Sequence, residues 1–312
     1  MMVALKRSGF KLRLTWPKRH PDLRPLAKKI APTFVGVGAQ QINTFLTTVL
    51  ASLLMPGSIS YLFYADRLNQ LPLALIGIAM ATALLPTLNK AFREDTSHNA
   101  QKRLGQAMSV ALALGLAAAA GLAMLAYEVI TVLFVRGAFT ASDADMTSLA
   151  LMAFAAGLPA YILIKLTSSA FYARHNTATP VKTALVSIAL NIALMLALMP
   201  SYGHVGLAVA SSLAGWCHLL LQLYFLHRHA IVGHLFWRTL LPYSFKAAVA
   251  ALLMTILIAG IKTNVPMPVA ANVLGAQVLW LILVIGGAGF FWLAIALLAK
   301  LHRPFLRSVV KH

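Results

Sequence analysis

Residues 105–132 read GQAMSVALALGLAAAAGLAMLAYEVITV, a run in which Glu128 is the only charged side chain. At 1.5 Å of rise per residue, about 20 such residues cross the ~30 Å hydrocarbon core of a bilayer. The run does not alternate apolar and polar positions as a barrel strand does. Hydrocarbon offers unpaired backbone groups no partner, so the segment reads as a transmembrane helix. Seven more apolar segments surround it, at roughly 31–55, 58–88, 147–171, 183–200, 206–226, 246–262 and 276–299. The expected fold class is all-α: a polytopic integral membrane protein with about eight transmembrane helices.

Composition agrees. Of 312 residues, 60% are hydrophobic and 11% charged, against about 25% charged in soluble domains, and the mean hydropathy is +0.80. The single cysteine, Cys217, excludes an intramolecular disulfide and any C-x-x-C site. Lys and Arg number 26 against 7 Asp and Glu, but the excess lies in loops and not on a soluble surface, which argues against a nucleic-acid partner. Met1–Phe10 leads into basic, proline-rich sequence where a signal peptide would have an apolar stretch, so no signal peptide is expected.

The cations set an orientation. Loops 1–30, 90–103, 172–182, 227–246 and 300–312 hold 22 of them, and the loops of the opposite side hold only Arg136 and Lys262. The positive-inside rule then predicts cytoplasmic termini. Within 1–30, Leu23, Leu26 and Ile30 share a face if 22–30 is helical, with Arg24, Lys28 and Lys29 free to meet headgroups. This predicts an interfacial lead-in drawn to anionic membrane lipids by about 1 kcal/mol per basic residue, a solvated basic loop being the alternative. Gly206, Ala210 and Ala214, four apart, predict close helix packing.

Two cations remain inside predicted helices, Arg67 and Lys165. Arg67 lies in the run YLFYADRLNQLP, residues 61–72. With a helix starting near Ser58 it sits about 14 Å deep, where an arginine costs at least ~2.5–3.5 kcal/mol unless it faces protein or an aqueous cavity. Asp66 is its neighbour, about 100° away around the helix, so the two do not simply neutralise each other. Pro72 removes the bond to the Leu68 carbonyl and predicts a kink beside the charge. Gln40, Asn43, Thr44 and Thr47 form a polar stripe on the first span, facing a cavity or another helix. Lys165 is a substrate contact or an anchor snorkelling toward the cytoplasmic end. The candidate substrate-binding set is Arg67, Asp66, Gln40, Asn43 and Lys165, with no catalytic or metal residues. His227, His229 and His234 share a loop without a carboxylate or cysteine, and Glu128 reads as an interfacial carboxylate, solvated or titrating.

Several motifs together carry a family resemblance: Tyr64-Ala65-Asp66-Arg67-Leu68 followed by Leu84-Leu85-Pro86-Thr87-Leu88, Leu133-Phe134-Val135-Arg136-Gly137-Ala138-Phe139-Thr140, Ala170-Phe171-Tyr172-Ala173-Arg174 and Thr179-Pro180-Val181-Lys182. They resemble the MurJ/MviN lipid II flippases of the multidrug/oligosaccharidyl-lipid/polysaccharide exporter superfamily, over nearly the whole chain. The resemblance implies fourteen helices in two six-helix lobes around a cationic cavity, with two C-terminal helices forming a groove for the lipid tail. The eight spans here would be the seventh to fourteenth, divided as a basic lead-in at 1–30, the second lobe at 31–230, and a loop, two helices and a basic tail at 231–312. Arg67 would be the cavity arginine of that lobe and Asp66 its neighbour.

The implied function is to flip an undecaprenyl-diphosphate-linked peptidoglycan precursor outward across the bacterial inner membrane by alternating access, without a cofactor. The first lobe, with the other cavity arginines, would come from a separate N-terminal lobe or a second copy. The alternatives are an exporter of polysaccharide-lipid or drugs, and a non-transporting truncated fragment or membrane scaffold. An intramembrane enzyme acting on prenyl diphosphates would need clustered acids that this sequence lacks, and no Walker lysine motif marks ATP as the direct energy source.

Overall fold

The computed structural model describes residues 23–93, 97–268 and 274–299, and all regular structure among them is helical. The elements are α1 (Leu23–Ser52), α2 (Ser58–Pro72), a π-helical segment (Leu73–Ile78) running on into α3 (Ala79–Arg93), α4 (Ser97–Met124), α5 (Ala126–Phe134), α6 (Ala141–Ala173), α7 (Ala178–Arg228), α8 (His234–Asn264) and α9 (Leu274–Leu298). The all-α membrane fold expected from the apolar runs is the fold observed. Residues 1–22, with most of the basic lead-in, and the tail 300–312 lie outside the described residues. Helix α1 starts at Leu23, so the 23–30 stretch is helical and continuous with the first span.

Among the described residues, six helical stretches are long and apolar enough to cross a membrane. One of them, α7, has 51 residues, about 76 Å if straight and over twice a bilayer's hydrocarbon thickness. It is a hairpin. Gly203 leaves helical geometry at φ 55°, ψ −135°, Ser187 Oγ donates to the Ala214 carbonyl at 2.8 Å, and Thr183 Oγ1 lies 3.2 Å from His218 Nε2. The last two pairs would be about 40 Å or more apart in a straight helix. The two limbs correspond to the separate spans predicted at 183–200 and 206–226. Helix α1 is long enough at 30 residues but too polar to count among the six. With it, and with α7 counted twice, the crossings number about eight.

Helix α6 is the axis of the bundle. Leu158, Ile162, Leu166 and Phe171 are fully buried, and side chains from α3, α4 and the second limb of α7 pack around them. Small residues set the spacing. A Cβ added at Gly157 would come within 2.9 Å of Ser212 Cα, and one at Gly215 would strike the Tyr161 ring. Gly157→Val is therefore expected to lower stability by about 1–3 kcal/mol, read as a lower melting temperature of the detergent-solubilised protein. Gly260→Val, with nothing within 4 Å of its added Cβ, is the control expected to melt normally.

The C-terminal helices attach to the bundle through α8, which packs along α4, while α9 lies against α8. One ion pair pins this junction: Lys262 Nζ stands 2.7 Å from Glu128 Oε1 and donates to the Met124 carbonyl at 2.9 Å. Glu128 is 7% exposed, so the expectation of a solvated interfacial carboxylate fails: its counter-ion comes from 134 residues further along the chain, beyond any local pattern.

Candidate functional site

Helix α2 is registered by its apolar side. Leu62, Ala65 and Leu68 are buried at i, i+3 and i+6, on the side that packs against α6, which turns the opposite stripe outward. That stripe is Ser60, Phe63, Arg67 and Gln70, all exposed. The Arg67 guanidinium lies over the Phe63 ring, 4.8 Å from its centroid. The Gln70 carboxamide joins the two charges: its Nε2 donates to Asp66 Oδ2, and its Oε1 accepts from Arg67 Nη1 at 3.4 Å. The guanidinium is thus oriented without contacting a carboxylate, and no other acceptor among the described residues bonds it. A fork held this way retains N–H groups for a phosphate.

Beyond Gln70 the backbone changes pitch. Pro72 cannot donate to Leu68, and the next six residues form the π-helical segment. In place of the kink expected beside the charge, the backbone widens into this π-helical turn. Gly77 in the segment lets it approach α6 closely; a Cβ there would meet Ile162 Cα at 3.3 Å and the Lys165 stem at 3.5 Å. Lys165 is an exposed residue at this contact.

Helix α1 presents three faces. Gln40, Thr44 and Thr48, at i, i+4 and i+8, are exposed polar side chains. Ile42, Phe45 and Val49, at i, i+3 and i+7, are exposed and apolar. Asn43 and Thr47 turn inward to α7, where Asn191 Nδ2 donates to Asn43 Oδ1 at 2.9 Å and Thr47 Oγ1 lies 3.7 Å from Met195 Sδ. The structure therefore links Arg67 and Asp66 through Gln70 and sets the Lys165 stem against Gly77 of the π-helical segment. Gln40 and Asn43 stay on α1, with no hydrogen bond to Arg67 or Asp66, and Asn43 is engaged with Asn191.

Two features escaped the sequence reading. Gln70 was available from spacing alone, at i+3 from Arg67 and i+4 from Asp66. The second is a buried polar hub with no local signal. Gln222, 0% exposed, accepts from Thr167 Oγ1, donates to Ser168 Oγ at 3.1 Å, and meets His218 Nε2 at 3.1 Å. Among the described residues no group of three or more His, Cys, Asp or Glu is arranged to hold a metal; His229 stacks on Phe225 instead.

Residues 1–277 match the family model described as "Lipid II flippase MurJ". The chain belongs to the MurJ family. Relatives named probable lipid II flippase MurJ include one from Rickettsia prowazekii, 36% identical over 232 residues that cover 74% of this chain and 46% of that protein. Another, from Haemophilus influenzae, is 38% identical over 230 residues, covering 72% of this chain and 44% of that one. A solved MurJ structure in an inward closed conformation superposes with a TM-score of 0.73 at 26% identity, over 99% of this chain and 60% of that chain. A superfamily transporter from Pyrococcus furiosus shares the fold at a TM-score of 0.56 and 14% identity. The chain thus spans less than half the length of these curated MurJ relatives.

Proposed function

We propose that this chain forms the second lobe and the C-terminal helix pair of a lipid II flippase. In this reading residues 31–230 supply half of a central aqueous cavity, residues 231–312 supply the lipid-tail groove, and a first lobe, or a second copy, closes the cavity. The substrate is a lipid-linked diphosphate sugar carried from the cytoplasmic to the outer leaflet by alternating access. It is a transporter, not an enzyme. The observation that carries the reading is Arg67: an exposed guanidinium deep in a membrane helix, on a stripe with Gln70, while α1 exposes Gln40 and Thr44. Lipid would penalise that arrangement, so the polar side chains face water and a partner lobe. Guanidinium also suits a diphosphate, because it binds oxygen pairs and keeps its charge at any depth.

The reading places both termini in the cytoplasm of a bacterial inner membrane. In a Cys217→Ser background, cysteines at Ser201 and Asn264 are expected to react with an impermeant thiol reagent in intact cells, and cysteines at Ser97 and Asn176 only after permeabilisation. The reverse pattern would overturn the orientation.

A further inference from the structure

The end of the bundle assigned above to the outer side carries an aromatic cleft of about 510 Å³ between the start of α2, the end of α5 and the loop that follows. Its walls are aromatic. Tyr64 packs on Phe134 with ring centroids 4.6 Å apart, and edge-on to Phe139 at 5.6 Å and 86°. Asp143 also lines the cleft, but its carboxylate is occupied: it accepts from Tyr61 Oη at 2.6 Å, from the Thr140 N–H at 2.8 Å and from Thr140 Oγ1 at 2.7 Å.

Arg136 is the uncompensated charge. Of the two cations on this side, Lys262 is taken up by Glu128, whereas no carboxylate of the described residues pairs with Arg136. Its Nη2 is pinned to the Val132 and Leu133 carbonyls at the end of α5. The other N–H groups of the exposed guanidinium are left to a ligand. The cleft also continues the central site. Ser60, Tyr64 and Arg67 fall at i, i+4 and i+7 on one α2 face, so the cleft opens about 5–10 Å along the helix from Arg67.

We propose that this cleft is an outward receiving subsite for a phosphorylated saccharide: Arg136 holds a phosphate oxygen, and Tyr64 with Phe139 supplies the faces on which a sugar ring lies. The chemistry is apolar walls with a few convergent polar groups, in the size range of small-ligand sites. A guanidinium alone would accept any anion; the aromatic pair beside it adds the preference for a sugar. The proposal rests on the flippase reading for the source of the ligand, but its test reads the cleft alone.

In the Cys217→Ser protein, Ala138→Cys places a thiol at the exposed rim of the cleft, and its modification rate is followed in detergent and in phosphatidylcholine vesicles. N-acetylglucosamine 1-phosphate is expected to slow modification at least fivefold more than equal concentrations of inorganic phosphate or N-acetylglucosamine. Arg136→Gln is expected to abolish that protection and Arg136→Lys to reduce it. Tyr64→Leu, with a normal melting temperature as the check on folding, is expected to erase the advantage of sugar phosphate over phosphate. Equal protection by the neutral sugar or by inorganic phosphate overturns the proposal, as does protection unaffected by Arg136→Gln. Slowing caused by phosphatidylglycerol in the vesicles, with no further effect of sugar phosphate, also overturns it and makes Arg136 a lipid anchor. Arg67→Ala is expected to leave protection intact, so that failure of the central site to move substrate and failure of the cleft to bind give different results.

Discussion

Arg67→Lys is expected to cut headgroup translocation by about tenfold or more in the assembled transporter, with membrane abundance unchanged, and Arg67→Ala to abolish it. Lysine keeps the charge but loses the planar fork that takes two phosphate oxygens at once. Hydrogen bonds to charged groups contribute about 1.5–3 kcal/mol each, and about 1.4 kcal/mol is a factor of ten. The surroundings make a purely structural role a poor competitor. Arg67 is exposed, and its bonds are to Gln70 and the Phe63 face, so removing it strands no buried counter-ion. A structural cation would give the opposite outcome: depleted protein, with the surviving fraction still active. Measuring abundance together with flipping separates the two. A stable, fully active Arg67→Ala protein would sink the substrate-ligand assignment.

These 312 residues expressed alone are expected to give no translocation, and co-expression with a matching first lobe to restore it. In the proposed reading the polar stripes of α1 and α2 face an aqueous cavity, which one lobe by itself would leave open to lipid on its uncovered side. A diphosphate has no route through hydrocarbon without replacement of its hydration. The measurement is growth of a flippase-depleted cell carrying this chain, with and without the partner lobe. Robust growth with this chain alone would overturn the expectation and favour two copies closing one cavity.

How much could be read in advance depends on the range of each interaction. The spans follow from composition, because a bilayer demands apolar length whatever the tertiary contacts, and the break between the limbs of α7 is announced by Pro200, Gly203 and Gly206. Arg67 is legible for the same reason, since a charge at that depth stands out against its run. The start of α1 is less so, because an amphipathic interfacial turn and the first turns of a membrane helix share one residue pattern from Leu23 to Ile30. What remains hidden is long-range pairing. Nothing near Asn43 points to Asn191, nothing near Glu128 points to Lys262, and the Gln222 hub draws its partners from two helices. Such side chains show their polarity in the sequence but not their partners, so a stripe read as facing a cavity or another helix is resolved only in three dimensions. On α1 the stripe divides: Gln40 is exposed while Asn43 is bonded to α7.

The hairpin at Gly203 bears on how the chain enters the membrane during synthesis. The first limb of α7 carries Thr183, Ser187 and Asn191 along one stripe, all buried in the finished fold. A limb released into lipid by itself would expose that stripe to hydrocarbon: Thr183 Oγ1 can donate to the Thr179 and Pro180 carbonyls of its own limb, but Ser187 and Asn191 would lack their partners, at several kcal/mol for each unsatisfied group. Ser187 finds its acceptor on the second limb, at Ala214, and Thr183 meets His218 there; Asn191 finds its partner on α1, which is made well over a hundred residues earlier. Apart from Asn191 Oδ1, which has no hydrogen bond among the described residues, the stripe is satisfied when the two limbs leave the translocon as a pair and dock on a helix already waiting in the bilayer, so the order of synthesis is also the order in which these polar groups are sheltered.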